Sequence, residues 1–221
     1  MKLLVSGCTE TVAGWHARRP DRIGALLTPA TGNDVPAEPM QWAADNACFS
    51  GLKPAAWLRF LARLVASSRR PSWVACPDVV ADAAATQRQY DVWSPVMRSL
   101  RLPVAYVLQD GLERTRWDLF FPWSEIAAVF VGGSTAWKES EHAQRLCRYA
   151  KDRGKLVHVG RVNTARRIRL LARWGTVDTI DGSGFSTWGE ARIPLGVRWI
   201  DAALRDAARQ PTLFALESGD P

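Results

Sequence analysis

Eight short apolar runs punctuate the chain, at residues 3–6, 23–27, 41–45, 73–78, 104–109, 129–133, 157–160 and 177–181. They are largely apolar on consecutive rather than alternate positions, the pattern of a strand covered on both faces in a parallel sheet. Helical periodicity fills several of the gaps. Residues 54–67 put Trp57, Leu58, Leu61, Leu64 and Val65 on one face, with Pro54 near the start, where a missing N–H costs little. Residues 82–100 read as a longer helix with a kink at Pro95. Residues 135–152 read as one helix, closed at Gly154. Asn163 reads as the N-cap of a helix reaching Trp174, followed by Gly175. Residues 28–39 read as a long loop, and the tail beyond Gln210 either packs or frays. Such alternation builds right-handed βαβ units. Eight strands in about 180 residues predict an α/β fold, a compact TIM-type (β/α)8 barrel. An open doubly wound sheet is the structural alternative. With 221 residues and 47% hydrophobic content, residues 1–221 read as a single domain with a sizeable core.

Polar residues recur where these runs end: Asp45, Asp78, Gln109, the Gly132-Gly133 pair and Asp181. A lone aspartate at such a place is usually a helix N-cap or a turn residue. In a barrel, however, all strand ends meet at one mouth, so five such positions in register would share a site.

The formal net charge is +7 and the sequence pI about 9.7. Arginine, a planar fork of donors suited to phosphate, carries most of the positive charge. That balance suits nucleic-acid binding, and equally suits an arginine-rich proteome. Among the eleven tryptophans, most are expected in packing and some in base stacking. Cys8, Cys48, Cys76 and Cys147 form no CxxC pair, so reduced thiols and no zinc are expected. His16, His142 and His158 are scattered and give no metal motif. The opening MKLLVSGCTE is too briefly apolar for a signal peptide, and no run is long enough to span a membrane. The expected location is therefore the cytoplasm, that of the host if a phage encodes the protein.

The strand-end residues resemble the motifs of the tRNA-guanine transglycosylase superfamily, in particular its small, phage-type DNA-guanine transglycosylase branch, over about residues 41–188. Ala44-Asp45-Asn46-Ala47-Cys48-Phe49 resembles the D-S-G-G-F/Y motif, which implies that Asp45 is the general acid/base and that Phe49 stacks on the bound base, with Asn46 beside it. Pro77-Asp78 resembles the position of the base-reading aspartate. Val107-Leu108-Gln109-Asp110-Gly111 resembles the V-Q-G motif, whose glutamine also reads the base. Val131-Gly132-Gly133-Ser134 resembles the G-G-L-A motif, whose backbone N–H groups contact the base. Val157-His158-Val159-Gly160 resembles the M-G-V-G strand, which places Val157 in the base pocket. Val177-Asp178-Thr179-Ile180-Asp181 resembles the D-x-F-D motif, which implies that Asp181 is the nucleophile. The sequence departs from the family in lacking its zinc motif and subdomain, both glycines of D-S-G-G, and the basic motif after the nucleophile, here Gly182-Ser183-Gly184-Phe185-Ser186.

The resemblance implies exchange of guanine in nucleic acid, DNA before tRNA, for a free 7-deazaguanine such as preQ0, through a covalent aspartyl-glycosyl intermediate. No cofactor, metal or membrane is expected, and a homodimer is an open possibility. Retention at C1′ needs two displacements and hence a carboxylate nucleophile, ionised and held so by donors. The same proton-transfer group serves the leaving and the entering base. Two nearby carboxylates with pKa values pushed apart fit that division. Arg161, Arg166, Arg167, Arg169 and Arg173 are candidates for phosphate contacts, or a solvated basic helix face. A nucleic-acid or nucleoside N-glycosidase would use the same carboxylates. A non-catalytic nucleic-acid-binding relative is the alternative from another class.

Overall fold

The computed structural model describes residues 1–7, 9–37, 39–115 and 121–209. The strands are β1 (Lys2–Ser6), β2 (Ile23–Leu27), β3 (Trp42–Ala44), β4 (Val74–Ala75), β5 (Val104–Leu108), β6 (Ala128–Val131), β7 (Leu156–Val159) and β8 (Thr179–Asp181). All are parallel and pair in chain order. A ladder from Lys2↔Thr179 to Leu4↔Asp181 closes β8 onto β1. That ladder excludes the open sheet: the chain folds as a TIM-type barrel.

Each apolar run contains one strand because both faces of a barrel strand are covered. Inward, Leu4, Leu26, Ala43, Trp73, Ala75, Ala105, Val107 and Ala128 fill the lumen, flanked by Phe130 and Leu156. The alternate residues, among them Leu3, Ile23, Trp42, Val74, Tyr106, Val129, Val157 and Ile180, pack outward in the cluster that includes the helices' apolar faces. Small lumen residues accommodate Trp73, which is wholly buried. The fit is close: a Cβ on Gly24 would stand 2.7 Å from Leu4 Cδ2 and 2.5 Å from the Gln41 carbonyl.

The helices are α1 (Glu10–Arg18), α2 (Pro54–Ala66), α3 (Ala83–Ser99), α4 (Thr135–Lys138), α5 (Glu141–Asp152), α6 (Ala165–Trp174), α7 (Ser183–Thr187) and α8 (Gly189–Arg209). Pro95 lies within α3. The expected single helix over 135–152 is two, because the Ser140 hydroxyl accepts from Ala143 N and starts a new helix. Asn163 is not a cap. Thr164 caps α6 through Arg167 N, while the Asn163 side chain accepts from Gly184 N. Neither α1 nor α8 was expected; Gly14 in the first and Pro194 in the second obscure their periodicity. Among the described residues no helix forms between β2 and β3. Instead the long loop is pinned to α2 and its exit: Arg63 donates twice to the Thr31 carbonyl at 3.0 Å, and Arg69 to the carbonyls of Met40, at 3.0 Å, and Pro36. The tail from Gln210 lies outside the described residues.

Candidate active site at the barrel mouth

The inward register of each strand, continued by two residues, reaches the mouth. Ala43 leads to Asp45, Val107 to Gln109, Phe130 to Gly132, His158 to Gly160 and Thr179 to Asp181. Asp45, Gln109 and Asp181 are therefore the top of the lumen lining, and Asp78, one residue past that register on β4, lines the same cavity. A cavity of about 110 Å³ opens there, lined by Asp45, Asn46, Phe49, Asp78, Val107, Gln109, Phe130, Gly132, Gly133, Arg161 and Asp181, among others.

Asp78 and Gln109 form one unit. Gln109 Nε2 donates to Asp78 Oδ2 at 2.6 Å, and Ala81 N–H donates to Gln109 Oε1 at 2.9 Å. That fixes which end of the Gln109 amide faces the carboxylate. On the other side Asn46 Nδ2 donates to Asp78 Oδ1 and to the Cys76 carbonyl, both at 2.7 Å, while Asn46 Oδ1 accepts from Cys48 N at 2.8 Å. Both protons of the Asn46 amide are spent, so Asn46 orients Asp78 and is not free to donate to a base. Burial pushes the Asp78 carboxyl up from its ordinary value, against the two amide donors and the Arg161 charge. Each Asp78 oxygen has a second lone pair, and Gln109 Nε2 a second proton.

Asp45 and Asp181 face each other electrostatically. Burial, with the charges of Asp181 and Asp78, pushes Asp45 up to about 7. Asp181 Oδ1 accepts the Arg161 backbone N–H at 3.0 Å and contacts His158 Nε2 at 3.1 Å. Arg161 also donates through Nη2 to the Gly133 carbonyl at 2.6 Å, and its guanidinium lies 4.8 Å from the centre of the Phe49 ring. Phe49 is 71% exposed, so a large part of the ring is open to a planar partner. Lys138 is buried, donates to the Gly160 carbonyl at 2.9 Å, and is pushed down to about 8 by desolvation and by Arg161 and Arg167.

Close approach explains the two glycines after β6. A Cβ on Gly132 would stand 2.6 Å from Gln109 Nε2, and one on Gly133 would collide with the Asp110 carboxylate. That carboxylate holds the turn by accepting from Ser134 N at 2.7 Å and Ser134 Oγ at 2.5 Å. The Gly132 N–H is spent on the Leu108 carbonyl and is not free to meet a ligand. Among the described residues, the non-glycine residues with left-handed backbone are Ala47, Ala81, Arg101 and Arg161. All but Arg101 adjoin this cavity or hold its side chains, and such strain persists only where surrounding structure enforces it. Ala47 has the left-handed backbone that glycine favours, at φ 57°.

No protein-family model matches the chain, and no curated protein does. Among solved structures, an arginine-to-lysine variant of flavocytochrome b2 superposes with a TM-score of 0.53 at 10% identity, over 94% of this chain and 63% of that one. RipC from Yersinia pestis aligns with a TM-score of 0.49 at 11% identity, over 98% of both chains. The flavocytochrome b2 likeness is one of fold alone.

Several positions differ from the sequence reading. Val157 is wholly buried in the outer core, and its N–H donates to Asp178 Oδ2 at 2.8 Å. It points away from the lumen because strand parity sends residue 158 inward instead. Asp178 is held by Lys151 at 2.9 Å and sits at the start of β8, away from the mouth. Of the five arginines, Arg161 lines the cavity. Arg166 and Arg167 both pair with Glu139, at 2.5 and 2.7 Å. Arg169 and Arg173 are exposed along α6, and the helical rise puts Arg173 about 12 Å beyond Ala165, down the barrel flank. His158, one of three histidines scattered in the sequence, is central. The signal in the sequence was a polar residue inside an otherwise apolar run, two positions before Gly160. Among the described residues, no group of three or more His, Cys, Asp or Glu is placed to hold a metal, and no helix is long and apolar enough to cross a membrane.

Proposed function

We propose that the protein is a base-exchanging transglycosylase that replaces guanine in a nucleic acid, DNA before tRNA, by a 7-deazaguanine. The observation that carries this reading is one cavity holding both a donor–acceptor edge, Asp78 with Gln109, and two further carboxylates, Asp45 and Asp181. Guanine offers N1–H and N2–H donors beside the O6 acceptor. The free lone pairs of Asp78 match the donors, and the second Gln109 Nε2 proton matches O6. Adenine would leave these groups unpaired, which a dry site penalises. A 7-deazaguanine keeps the same edge, so one pocket serves both bases. Phe49, backed by the Arg161 guanidinium 4.8 Å from its ring centre, offers a face on which the base can stack.

In the reaction an Asp181 oxygen attacks C1′ as the bond to N9 breaks. The bonding pair leaves with guanine, which takes the Asp45 proton. The incoming base then gives its N9 proton to Asp45 and displaces Asp181, so the configuration at C1′ is retained. A carboxyl pushed up to about 7 suits both directions of proton transfer near neutral pH. The target nucleotide must be extrahelical or single-stranded to reach the mouth. The test is incubation with labelled guanine and either DNA or tRNA, followed by mass spectrometry of the nucleosides after addition of candidate deazaguanines. Label entering polymer supports exchange. Release of base without incorporation would indicate a glycosidase, and neither event would end the reading.

A further inference from the structure

His158 is completely buried in the lumen, packed against the rings of both Trp73 and Phe130, with centroids 4.7 and 4.6 Å away. Its Nδ1 stands 2.9 Å from Thr179 Oγ1 and its Nε2 3.1 Å from Asp181 Oδ1. The Asp181 contact places a proton on Nε2. A carboxylate oxygen only accepts, so Nε2 must carry the proton, and the Thr179 hydroxyl, which can donate, faces Nδ1. Oδ1 therefore receives two N–H groups, from His158 and from the Arg161 backbone. Among the described residues Oδ2 receives none.

We infer that His158 is a positioning residue that occupies Oδ1 of Asp181 and leaves Oδ2 as the attacking atom. The ring cannot swing away, because Trp73 and Phe130 fix its plane. Asp181 is thus held in one rotamer at the end of a short strand, where an unsupported carboxylate would sample several. In the displacement Oδ2 bonds to C1′ while the C1′–N9 bond breaks and its electron pair leaves with the base. Oδ1 becomes the ester carbonyl and keeps both N–H contacts. When the entering base attacks C1′, the Oδ2–C1′ bond breaks and its pair returns to the carboxylate, which the same donors stabilise. His158 transfers no proton in either step.

The positioning is tested without turnover by long-range ¹H–¹⁵N spectra of protein labelled in histidine, with His158 assigned by its loss in His158→Phe. Protonated Nε2, bare Nδ1 and a shift of both signals in Asp181→Ala are expected. Protonation on Nδ1 alone, or signals indifferent to Asp181→Ala, would overturn the assignment. The kinetic consequence rests on the base-exchange reading. His158→Phe keeps the aromatic packing, and thermal melts confirm folding. It should lower the rate of glycosyl-ester formation about 10- to 100-fold, the size of a lost hydrogen bond to a charged group, with KM for polymer changed by no more than about twofold. His158→Gln, which offers an N–H, should recover part of the loss. Undiminished ester formation in folded His158→Phe overturns the positioning role. A wild-type protein that exchanges nothing overturns the base-exchange reading instead, and the spectra still decide the role of His158.

Discussion

Replacing Asp45 by asparagine should make the protein more stable and less active, by amounts the site geometry sets. In the fold the Asp45 carboxyl is moved from 3.8 to about 7, by burial first and then by the charges of Asp181 and Asp78. The native state therefore holds a proton between those values that the unfolded chain has lost. Stability falls as pH rises through that window: it is fully present below about 3.8 and lost above about 7. At about 1.4 kcal/mol for each tenfold change, the loss is at most about 4 kcal/mol. Water entering the open mouth makes the realised figure smaller. Asparagine cannot ionise and avoids this loss. Urea unfolding of both proteins at pH 4, 6 and 8, with constant m-value, should give near-equal stability at pH 4 and a gain for Asp45→Asn that grows towards pH 8. Over the same pH range wild-type guanine release should decline as Asp45 loses its proton, and Asp45→Asn should lose about 10²- to 10⁴-fold in exchange rate. Equal stabilities at pH 8, or a variant less stable there, would refute the argument that burial and neighbouring charge hold the proton on Asp45.

Asp78→Ala removes the acceptor for both guanine donors, so kcat/KM should fall by about two to four orders of magnitude for guanine and deazaguanine alike. Oligonucleotide binding measured beside it should hardly change, since phosphate contacts are made elsewhere; lost binding with intact base selectivity would mean the pocket is misassigned. Asp181→Asn should abolish trapping of a glycosyl-enzyme ester by mass spectrometry while melting like wild type, and an ester still formed by that variant would exclude Asp181 as nucleophile. Ala47→Gly relieves a left-handed alanine, worth about 1–2 kcal/mol, against about 0.4–1 kcal/mol of added unfolded-state entropy. It should leave the urea midpoint unchanged or raise it, and a clear drop would show that the Ala47 methyl packs rather than strains. Nucleic-acid affinity should fall linearly in log–log plots against salt, with Arg169→Gln reducing the slope by about one if that side chain meets a phosphate. A flat plot for the intact protein would mean that the +7 surface is only solvated.

The strands and their closing acids were legible in the sequence because both depend on local pattern. A strand covered on both faces is apolar at most positions, so the eight runs announced themselves, and Asp45, Asp78, Gln109 and Asp181 stood out as polar residues where the runs stop. α1 and α8 were not legible, because burial against the barrel outweighs the weak propensities around Gly14 and Pro194. The break at Ser140 depended on one hydroxyl reaching Ala143 N, which competes with helix continuation in a way periodicity does not register.

Tertiary structure alone decided what each strand-end residue does. Either parity of a strand buried on both faces can point into the lumen, so which of Val157 and His158 does so was decided only by the β6, β7 and β8 registers. Closure itself rests on the β1–β8 ladder, between the two ends of the strand series. The same closure brings Arg161 against Phe49, turns Asn46 from a base contact into the support of Asp78, and raises Asp45 through carboxylates 33 and 136 positions further along the chain. Sequence supplies such groups as residue types. Their hydrogen-bond partners and proton affinities come from desolvation and from charges at distances of a few ångströms, and those distances exist only once the barrel has closed.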